Sequence, residues 1–259
     1  MGLLDGKRGL VFGVANDRSI AWHIAEQLMA QGATCAFTHL PGEKMERRAR
    51  KAIESGGCTD PWLMPCDASS DEDLDKVFNK AREDFDTIDF VIHSIAFAER
   101  EYLKIGNFAE TTRAAFSQAL DISAYTLVAM AKRAAPLMTN GGSIIAMSYY
   151  GSEKVVPGYN VMGVAKAALE ANARYLAFEL GEKGIRVNTI SAGPIRTLSA
   201  MAVGGIEDMF DHVEKKAPLR RNIEADEVGK TAVYLTSDLS SGVSGENIYV
   251  DAGYNVVGL

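Results

Sequence analysis

Short apolar segments alternate along this chain with longer segments in which apolar and charged residues recur at helical spacing. The apolar segments predict strands over residues 10–14, 34–38, 61–66, 88–94, 142–147, 185–191 and 247–250. The amphipathic segments predict a helix that begins at Ser19 and is closed by Gly32. They also predict helices over residues 44–54, 71–85, about 112–137, 159–180 and 225–235.

Strands that alternate with helices of this length are typical of a parallel sheet with helices on both faces. A hydrophobic content of 47% in 259 residues supplies enough apolar side chains for a large core. No internal repeat, low-complexity tract or linker interrupts the pattern. We therefore expect an α/β fold, a single doubly wound parallel sheet of the Rossmann type, in one domain that spans residues 1–259.

The ends of the predicted strands carry the first functional signals, because ligands bind beyond the carboxyl ends of the strands in such sheets. Gly13 ends the first strand, and the helix at Ser19 offers free amides to a pyrophosphate. Asp67 ends the third strand, where a carboxylate can accept from an adenine amine. An ordinary turn and a helix N-cap are the alternative interpretations. Residues 94–96 and 192–197 add small residues and a turn at the same edge, and together these signals predict a dinucleotide site.

A tyrosine and a lysine lie seven residues apart in the Ala-rich segment that begins at Tyr159. On a helix, Tyr159 and Lys166 would differ by about 20° around the axis and by about 10.5 Å along it. Gly163 between them would leave space for a flat group. A phenol and an ammonium on one face can polarise a carbonyl and hold sugar hydroxyls. An interfacial aromatic residue and a solvated lysine are the alternative interpretation of the spacing.

A second pair, Tyr150 and Lys154, has the Tyr-x-x-x-Lys spacing used across short-chain dehydrogenases. That pair functions when both residues lie one turn apart on a helix. Gly151 and the run Val155–Pro157 favour a loop or extended chain instead. We therefore reject this pair as the active one.

Charge and cysteine usage exclude several classes of function. The net charge of −7 argues against nucleic acid as a main partner. Apolar runs are too short for a signal peptide or a membrane span, and reduced thiols are typical of a cytoplasmic protein. No metal is expected, because neither the cysteines nor the histidines have ligand spacing. These residues are Cys35, Cys58 and Cys66, and His23, His39, His93 and His212.

Motifs along nearly the whole chain together resemble those of the bacterial enoyl-acyl-carrier-protein reductases, a divergent short-chain dehydrogenase/reductase family. The motifs are Gly13–Ala21, His93–Phe97, Asp121–Tyr125, Tyr149, Tyr159–Lys166, Ser191–Leu198 and Ser244–Glu246. The Tyr-x6-Lys spacing is the most specific of them, because most short-chain dehydrogenases have Tyr-x3-Lys.

The resemblance implies that NADH reduces the trans-2 double bond of an enoyl thioester, carried by acyl carrier protein, in fatty-acid elongation. It implies catalytic positions at Tyr149, Tyr159 and Lys166, and contact between Ala98 and the acyl chain. The residues that it implies around the dinucleotide are Gly13, Ser19, Ile20, Asp67, Ala68, Ile95, Lys166 (on the ribose), Ile195, Arg196, Thr197, Leu198 and Ser199. It also implies a homo-oligomer, a tetramer as in the family. The segment over about residues 198–214 contains two adjacent glycines, so we expect it to be a mobile cover of the substrate. We expect it to expose its apolar residues beside the site, namely Met201, Ile206, Met209 and Phe210.

Two sequence features bear on cofactor and partner. No carboxylate follows the second strand in His39–Pro41 to bind an adenosine 2′-hydroxyl. Lys44, Arg47 and Arg48 follow there and can meet a 2′-phosphate, although solvated helix charges are the alternative interpretation. We expect NADH and leave NADPH open. The candidate docking residues for an acidic carrier protein are Lys215, Lys216, Arg220 and Arg221.

Two other functions compete with this hypothesis. A short-chain reductase for another carbonyl needs a Tyr-x3-Lys pair on the helix, which the helix lacks. A non-catalytic dinucleotide-sensing protein has no need of Tyr159 together with Lys166.

Overall fold

The computed structural model describes residues 2–198 and 200–258. Its strands are β1 (Arg8–Phe12), β2 (Thr34–His39), β3 (Leu63–Pro65), β4 (Phe90–His93), β5 (Gly142–Ser148), β6 (Ile185–Ala192) and β7 (Asn247–Val250). Its α-helices are α1 (Ile20–Ala30), α2 (Glu43–Ser55), α3 (Asp71–Phe85), α4 (Arg113–Leu120), α5 (Thr126–Ala134), α6 (Val161–Leu180), α7 (Ile206–Lys216) and α8 (Ala225–Thr236).

The seven strands form one sheet in the order β3-β2-β1-β4-β5-β6-β7, and neighbouring strands are parallel throughout. The direction of winding changes between β1 and β4, and the crevice outside the carboxyl ends of strands at such a point is where ligands bind. The prediction of a doubly wound parallel sheet is confirmed.

Two buried hydrophobic clusters cover the two faces of the sheet. Val11 of β1 belongs to the cluster under α1 and α8. Its neighbours Leu10 and Phe12 belong to the cluster under α3, α5 and α6. Successive side chains of a strand point to opposite faces, so a sheet covered on both sides needs apolar residues at every position. That requirement explains why the strands are visible in the sequence as continuous apolar runs.

The first strand ends two residues earlier than predicted, because the backbone turns at Gly13. Gly13 has a φ of 106°, which side-chain-bearing residues rarely adopt. A Cβ there would also collide with the carbonyl oxygen of Ser94, which follows β4. The turn after β1 therefore packs directly against the chain after β4.

The long helical stretch predicted at about 112–137 is helical but not uniform. A π-helical turn over Asp121–Tyr125 separates α4 from α5. Within it, the Ser123 hydroxyl accepts from the Phe97 amide at 3.0 Å and donates to the Phe97 carbonyl at 3.1 Å. The π turn thus holds the segment after β4 in place, and such turns are frequent at functional sites.

None of the helices in residues 2–198 and 200–258 has the combined length and apolar character that crossing a membrane requires.

Candidate active site

A cavity of about 740 Å³ opens at the carboxyl edge of the sheet, where β1, β4, β5 and β6 end. Its volume lies in the range of small-molecule and cofactor sites. Most of the predicted site residues line it, namely Gly13, Ser19, Ile20, Ile95, Ala98, Tyr149, Tyr159, Lys166, Ile195, Thr197 and Leu198. The sheet edge therefore brings together residues that are separated by up to about 185 positions in the sequence.

The turn between β1 and α1 has the geometry of a phosphate cradle. Ser19 accepts hydrogen bonds from the amides of Ala15 and Asn16, both at 3.0 Å, so its hydroxyl holds the turn. It makes no side-chain cap to the first amides of α1. These amides stand at the positive end of the helix dipole, which favours a bound phosphate. The residues present fit the pyrophosphate of a dinucleotide.

Asp67 and Ala68 do not line the cavity, although they follow β3 at the same edge of the sheet. The Asp67 carboxylate accepts from the Ser69 amide at 3.0 Å and from its hydroxyl at 2.7 Å. The helix-cap alternative for Asp67 is wrong, because Ser70 is the N-cap of α3. The predicted site residue Ser199 lies outside the described residues.

Arg196 is directed at α7 instead of the cavity. Its Nη1 lies 2.6 Å from Oε1 of Glu207, and its guanidinium carbon lies 4.4 Å from the centre of the Phe210 ring. An ion pair and a cation–π contact therefore fasten α7 to the segment after β6. The sequence showed the arginine but not this pairing.

Tyr159 lies in the turn before α6 and not on the helix, so the predicted geometry of the pair is wrong. The helix begins at Val161, and Asn160 before it has a φ of 47° and a ψ of −121°. Gly158 has a φ of 84°. Two residues with positive φ cannot continue a right-handed helix. Tyr159 and Lys166 nevertheless both line the cavity.

Asn160 fixes this turn through its side chain. Its Nδ2 donates to the carbonyl of Tyr102 at 2.7 Å and to that of Lys104 at 2.8 Å. We expect Asn160→Ala to lower the free energy of unfolding by about 1–2 kcal/mol more than Asn160→Gly, because alanine disfavours a positive φ that glycine adopts freely. Both variants lose the same two hydrogen bonds. Urea unfolding of the pair measures the difference, and equal losses would contradict it.

The ring of Tyr159 packs against Tyr149 and Gly151. The Tyr149 ring meets it edge to face, with centroids 4.8 Å apart and an interplanar angle of 71°. A Cβ at Gly151 would collide with the Tyr159 ring. The space beside Gly163, predicted to admit a flat ligand group, is filled by the carbonyl of Gly151. Gly163 thus lets the turn after β5 pack on α6 and support the phenol.

Burial sets the protonation states of the site at neutral pH. Burial raises the pKa of Tyr159, and Tyr149 and Glu170 raise it further. Burial likewise raises the pKa of Tyr149. Burial lowers the pKa of Lys166 to about 8, against the opposing effect of Glu170. The cavity therefore presents two neutral phenols, which can donate hydrogen bonds, beside an ammonium that donates to the Met147 carbonyl at 2.7 Å.

The rejected pair lies elsewhere. Tyr150 begins a short 3₁₀ turn, and its ring packs against those of Tyr249 and Tyr254. Lys154 is exposed, and neither residue of the pair lines the cavity. The prediction that this segment is not an α-helix is confirmed.

Helix α7 covers one side of the cavity. Ile206 and Met209 line it, and the Tyr149 hydroxyl donates to the sulfur of Met209 at 2.8 Å. The expectation that this segment exposes its apolar residues is wrong for Ile206 and Phe210, which are buried. It holds for Met201, which is 52% exposed.

Sequence reasoning missed part of the apolar wall of the cavity. The missed residues include Leu40, Met45, Leu103 and Met147. Their spacing is that of ordinary core residues, so no local signal separates them from the core. Glu170, buried beside the site, was also missed, because a glutamate on a helix usually faces solvent.

Three comparisons place these features among known proteins. Residues 13–255 match the family model described as enoyl-(acyl carrier protein) reductase. The chain is 53% identical to the enoyl-[acyl-carrier-protein] reductase [NADH] FabI of Nostoc sp., over 99% of each sequence. It superposes on the Bacillus cereus enoyl-acyl carrier protein reductase, solved with NADP+ and indole naphthyridinone, with a TM-score of 0.97, 50% identity and full coverage of both chains. The Aquifex aeolicus enoyl-[acyl-carrier-protein] reductase (NADH) gives a TM-score of 0.94 at 44% identity, again over both full chains.

Proposed function

This chain belongs to the enoyl-(acyl carrier protein) reductase family, and we propose how its cavity residues divide the work of that reaction. It is an oxidoreductase that uses NADH to reduce the trans-2 double bond of an enoyl thioester on acyl carrier protein. One observation supports the assignment of roles: Tyr149, Tyr159 and Lys166 line the same cavity as the phosphate cradle after β1.

Gly13, Ser19 and Ile20 hold the pyrophosphate in this proposal, where the amides of α1 meet the cavity. Ile95, Ile195, Thr197 and Leu198 line the adjoining wall toward the nicotinamide. Lys166 binds the nicotinamide ribose with its buried ammonium. Contacts of Asp67, Ala68, Arg196 and Ser199 with the dinucleotide rest on the family pattern alone.

When bound, NADH would supply a hydride to the β-carbon of the enoyl group, which would leave negative charge on the thioester oxygen. Tyr159 donates a hydrogen bond to that oxygen, because burial keeps its phenol protonated. Tyr149 packs on the ring and restricts its orientation. Ala98 and the apolar wall accommodate the acyl chain. Protonation of the α-carbon completes the reduction.

An absorbance assay of NADH oxidation tests the function. A short trans-2-enoyl thioester should support turnover with NADH. The same assay with NADPH tests which cofactor the enzyme prefers. A β-ketoacyl thioester is the control substrate. Turnover of the β-ketoacyl thioester alone would indicate a different short-chain reductase. Tight NADH binding without turnover of either thioester would indicate a sensing protein.

We also expect a homotetramer, because α6 presents a second apolar face. Tyr175 and Phe178 on this helix are 79% and 89% exposed, and Tyr125 on the neighbouring π turn is 53% exposed. Burial of such aromatic residues against a second copy would remove a large apolar area from water. Light scattering should give about four times 27.9 kDa for the protein and a smaller mass for Phe178→Asp. A monomeric mass for the unsubstituted protein at micromolar concentration would contradict the expectation.

We further propose that the chain acts as one domain in the cytoplasm, with residues of about 198–214 as its mobile substrate cover. An acidic carrier protein would dock beside α7, where Lys215, Lys216 and Arg220 are exposed. Arg221 is a weaker candidate, because it already pairs with Glu227 at 2.7 Å.

A further inference from the structure

A buried carboxylate lies behind the candidate active site. Glu170 on α6 is 7% exposed. Its Oε1 accepts from the hydroxyl of Ser148, from that of Ser152 at 2.6 Å and from Nδ2 of Asn247 at 3.4 Å. These donors come from the end of β5, the turn after it and β7. All three donors are neutral and bond to the same oxygen, so none of them brings a positive charge to the carboxylate.

A buried ammonium lies one helical turn away. Lys166 is 5% exposed and donates to the Met147 carbonyl. Lys166 and Glu170 are four residues apart on α6 and both belong to its buried face. Residues at this spacing are neighbours on a helix surface. An isolated buried charge is costly, and an opposite charge one turn away favours the charged form through space, without a direct salt bridge.

One imidazole and three phenols around the pair carry no charge at neutral pH. His93 of β4 faces Lys166, and burial lowers its pKa to about 3. Tyr159 and Tyr149 are neutral phenols with raised pKa values. Tyr249 of β7 approaches Glu170 and is also neutral, since burial and its hydrogen bond to Glu153 raise its pKa. A second buried carboxylate, Asp251 after β7, acts on Tyr149, whereas Glu170 is the group that raises the pKa of Lys166.

We propose that Glu170 is a positioning residue that keeps the buried Lys166 protonated. The proposal deepens the function above, because a protonated Lys166 is the form that binds the ribose there. Without the carboxylate, burial alone would act on the ammonium and its pKa would fall. NADH binding would then weaken at a lower pH than in the unsubstituted enzyme.

Four proteins test the proposal: the unsubstituted enzyme, Glu170→Gln, Glu170→Asp and Glu179→Gln. Glu170→Gln keeps the shape and an acceptor but removes the charge. Glu179 is an exposed glutamate on the same helix, so Glu179→Gln removes the same formal charge at the surface. The titration midpoint of Lys166 is read by NMR from carbon-13-labelled lysine, and the resonance is identified by its loss in Lys166→Met.

We expect Glu170→Gln to lower the midpoint by about one pH unit or more, while Glu170→Asp and Glu179→Gln stay close to the unsubstituted enzyme. A packing role predicts the reverse order, because glutamine preserves the shape and aspartate does not. An unchanged midpoint in Glu170→Gln, or a lowered one in Glu179→Gln as well, overturns the proposal.

NADH affinity is measured from pH 6 to 9.5 in the same proteins. This measurement distinguishes the effect of Glu170 on Lys166 from the proposed contact between Lys166 and the ribose. The loss of affinity should follow the Lys166 midpoint of each protein. The Lys166 midpoint could be lowered in Glu170→Gln while NADH affinity stays independent of pH. That result would support the effect of Glu170 on Lys166 and would refute the contact between Lys166 and the ribose.

Discussion

Tyr159→Phe is expected to lower kcat for enoyl reduction by a factor on the order of 10²–10³, or about 2.7–4 kcal/mol, as the loss of one oxyanion-hole donor does. The substitution removes the phenolic hydroxyl and retains the ring that packs on Tyr149 and Gly151. NADH affinity should hardly change, because Lys166 and the phosphate cradle are untouched. Steady-state kinetics with an enoyl thioester, together with NADH fluorescence titration, measure both quantities.

Tyr150→Phe is the matched control for this prediction. Its hydroxyl lies outside the cavity and donates to the Asn255 carbonyl at 3.4 Å. We expect near-normal turnover from this variant. Loss of turnover in Tyr150→Phe, with full activity in Tyr159→Phe, would place the active phenol at Tyr150 and return the chain to the Tyr-x3-Lys reductases.

Lys166→Ala is expected to weaken NADH binding by about 10- to 100-fold and to lower turnover as well. The substitution removes a charged donor, and hydrogen bonds to charged groups contribute about 1.5–3 kcal/mol. Direct titration with NADH measures the affinity, and stopped-flow kinetics at saturating NADH measures the remaining turnover. Lys154→Ala is the control, because that lysine is exposed and remote from the cavity.

The same variant should also be less stable, because it leaves the buried Glu170 without the opposite charge one helical turn away. The double variant Lys166→Ala/Glu170→Gln should recover part of this stability but none of the NADH affinity. Recovery of affinity in the double variant would show that Lys166 does not contact the cofactor.

The sequence predicted the layers of this fold because the signals involved are local. Asp71–Phe85 and Asn247–Val250 have the same bounds in the structure as in the sequence pattern. The helix begins after a Ser70 cap that accepts from the Asp73 amide at 3.2 Å. The strands are apolar on both faces, since helices cover both sides of the sheet. Each of these features depends on a few consecutive residues.

The family motifs identified the reaction and most of the cavity. Gly13, Ser19, Tyr149, Tyr159 and Lys166 all line it, as expected from strands that end at one edge. The motifs did not indicate which of the matched side chains face the cavity. Arg196 belongs to a motif but faces α7, because its partners Glu207 and Phe210 lie on that helix.

The amino-acid sequence by itself determined the parallel α/β sheet, the edge of the sheet that carries the cavity and the pair of residues to which we assign the chemistry. Only the tertiary structure decided how that pair is presented. Tyr159 leaves the helix because Asn160, held at positive φ, bonds to the carbonyl of Tyr102, 58 residues away. Glu170 becomes the counter-charge of Lys166 because β5 and β7 bury it. Periodicity averages over neighbouring residues, and contacts between distant segments leave no trace in that average.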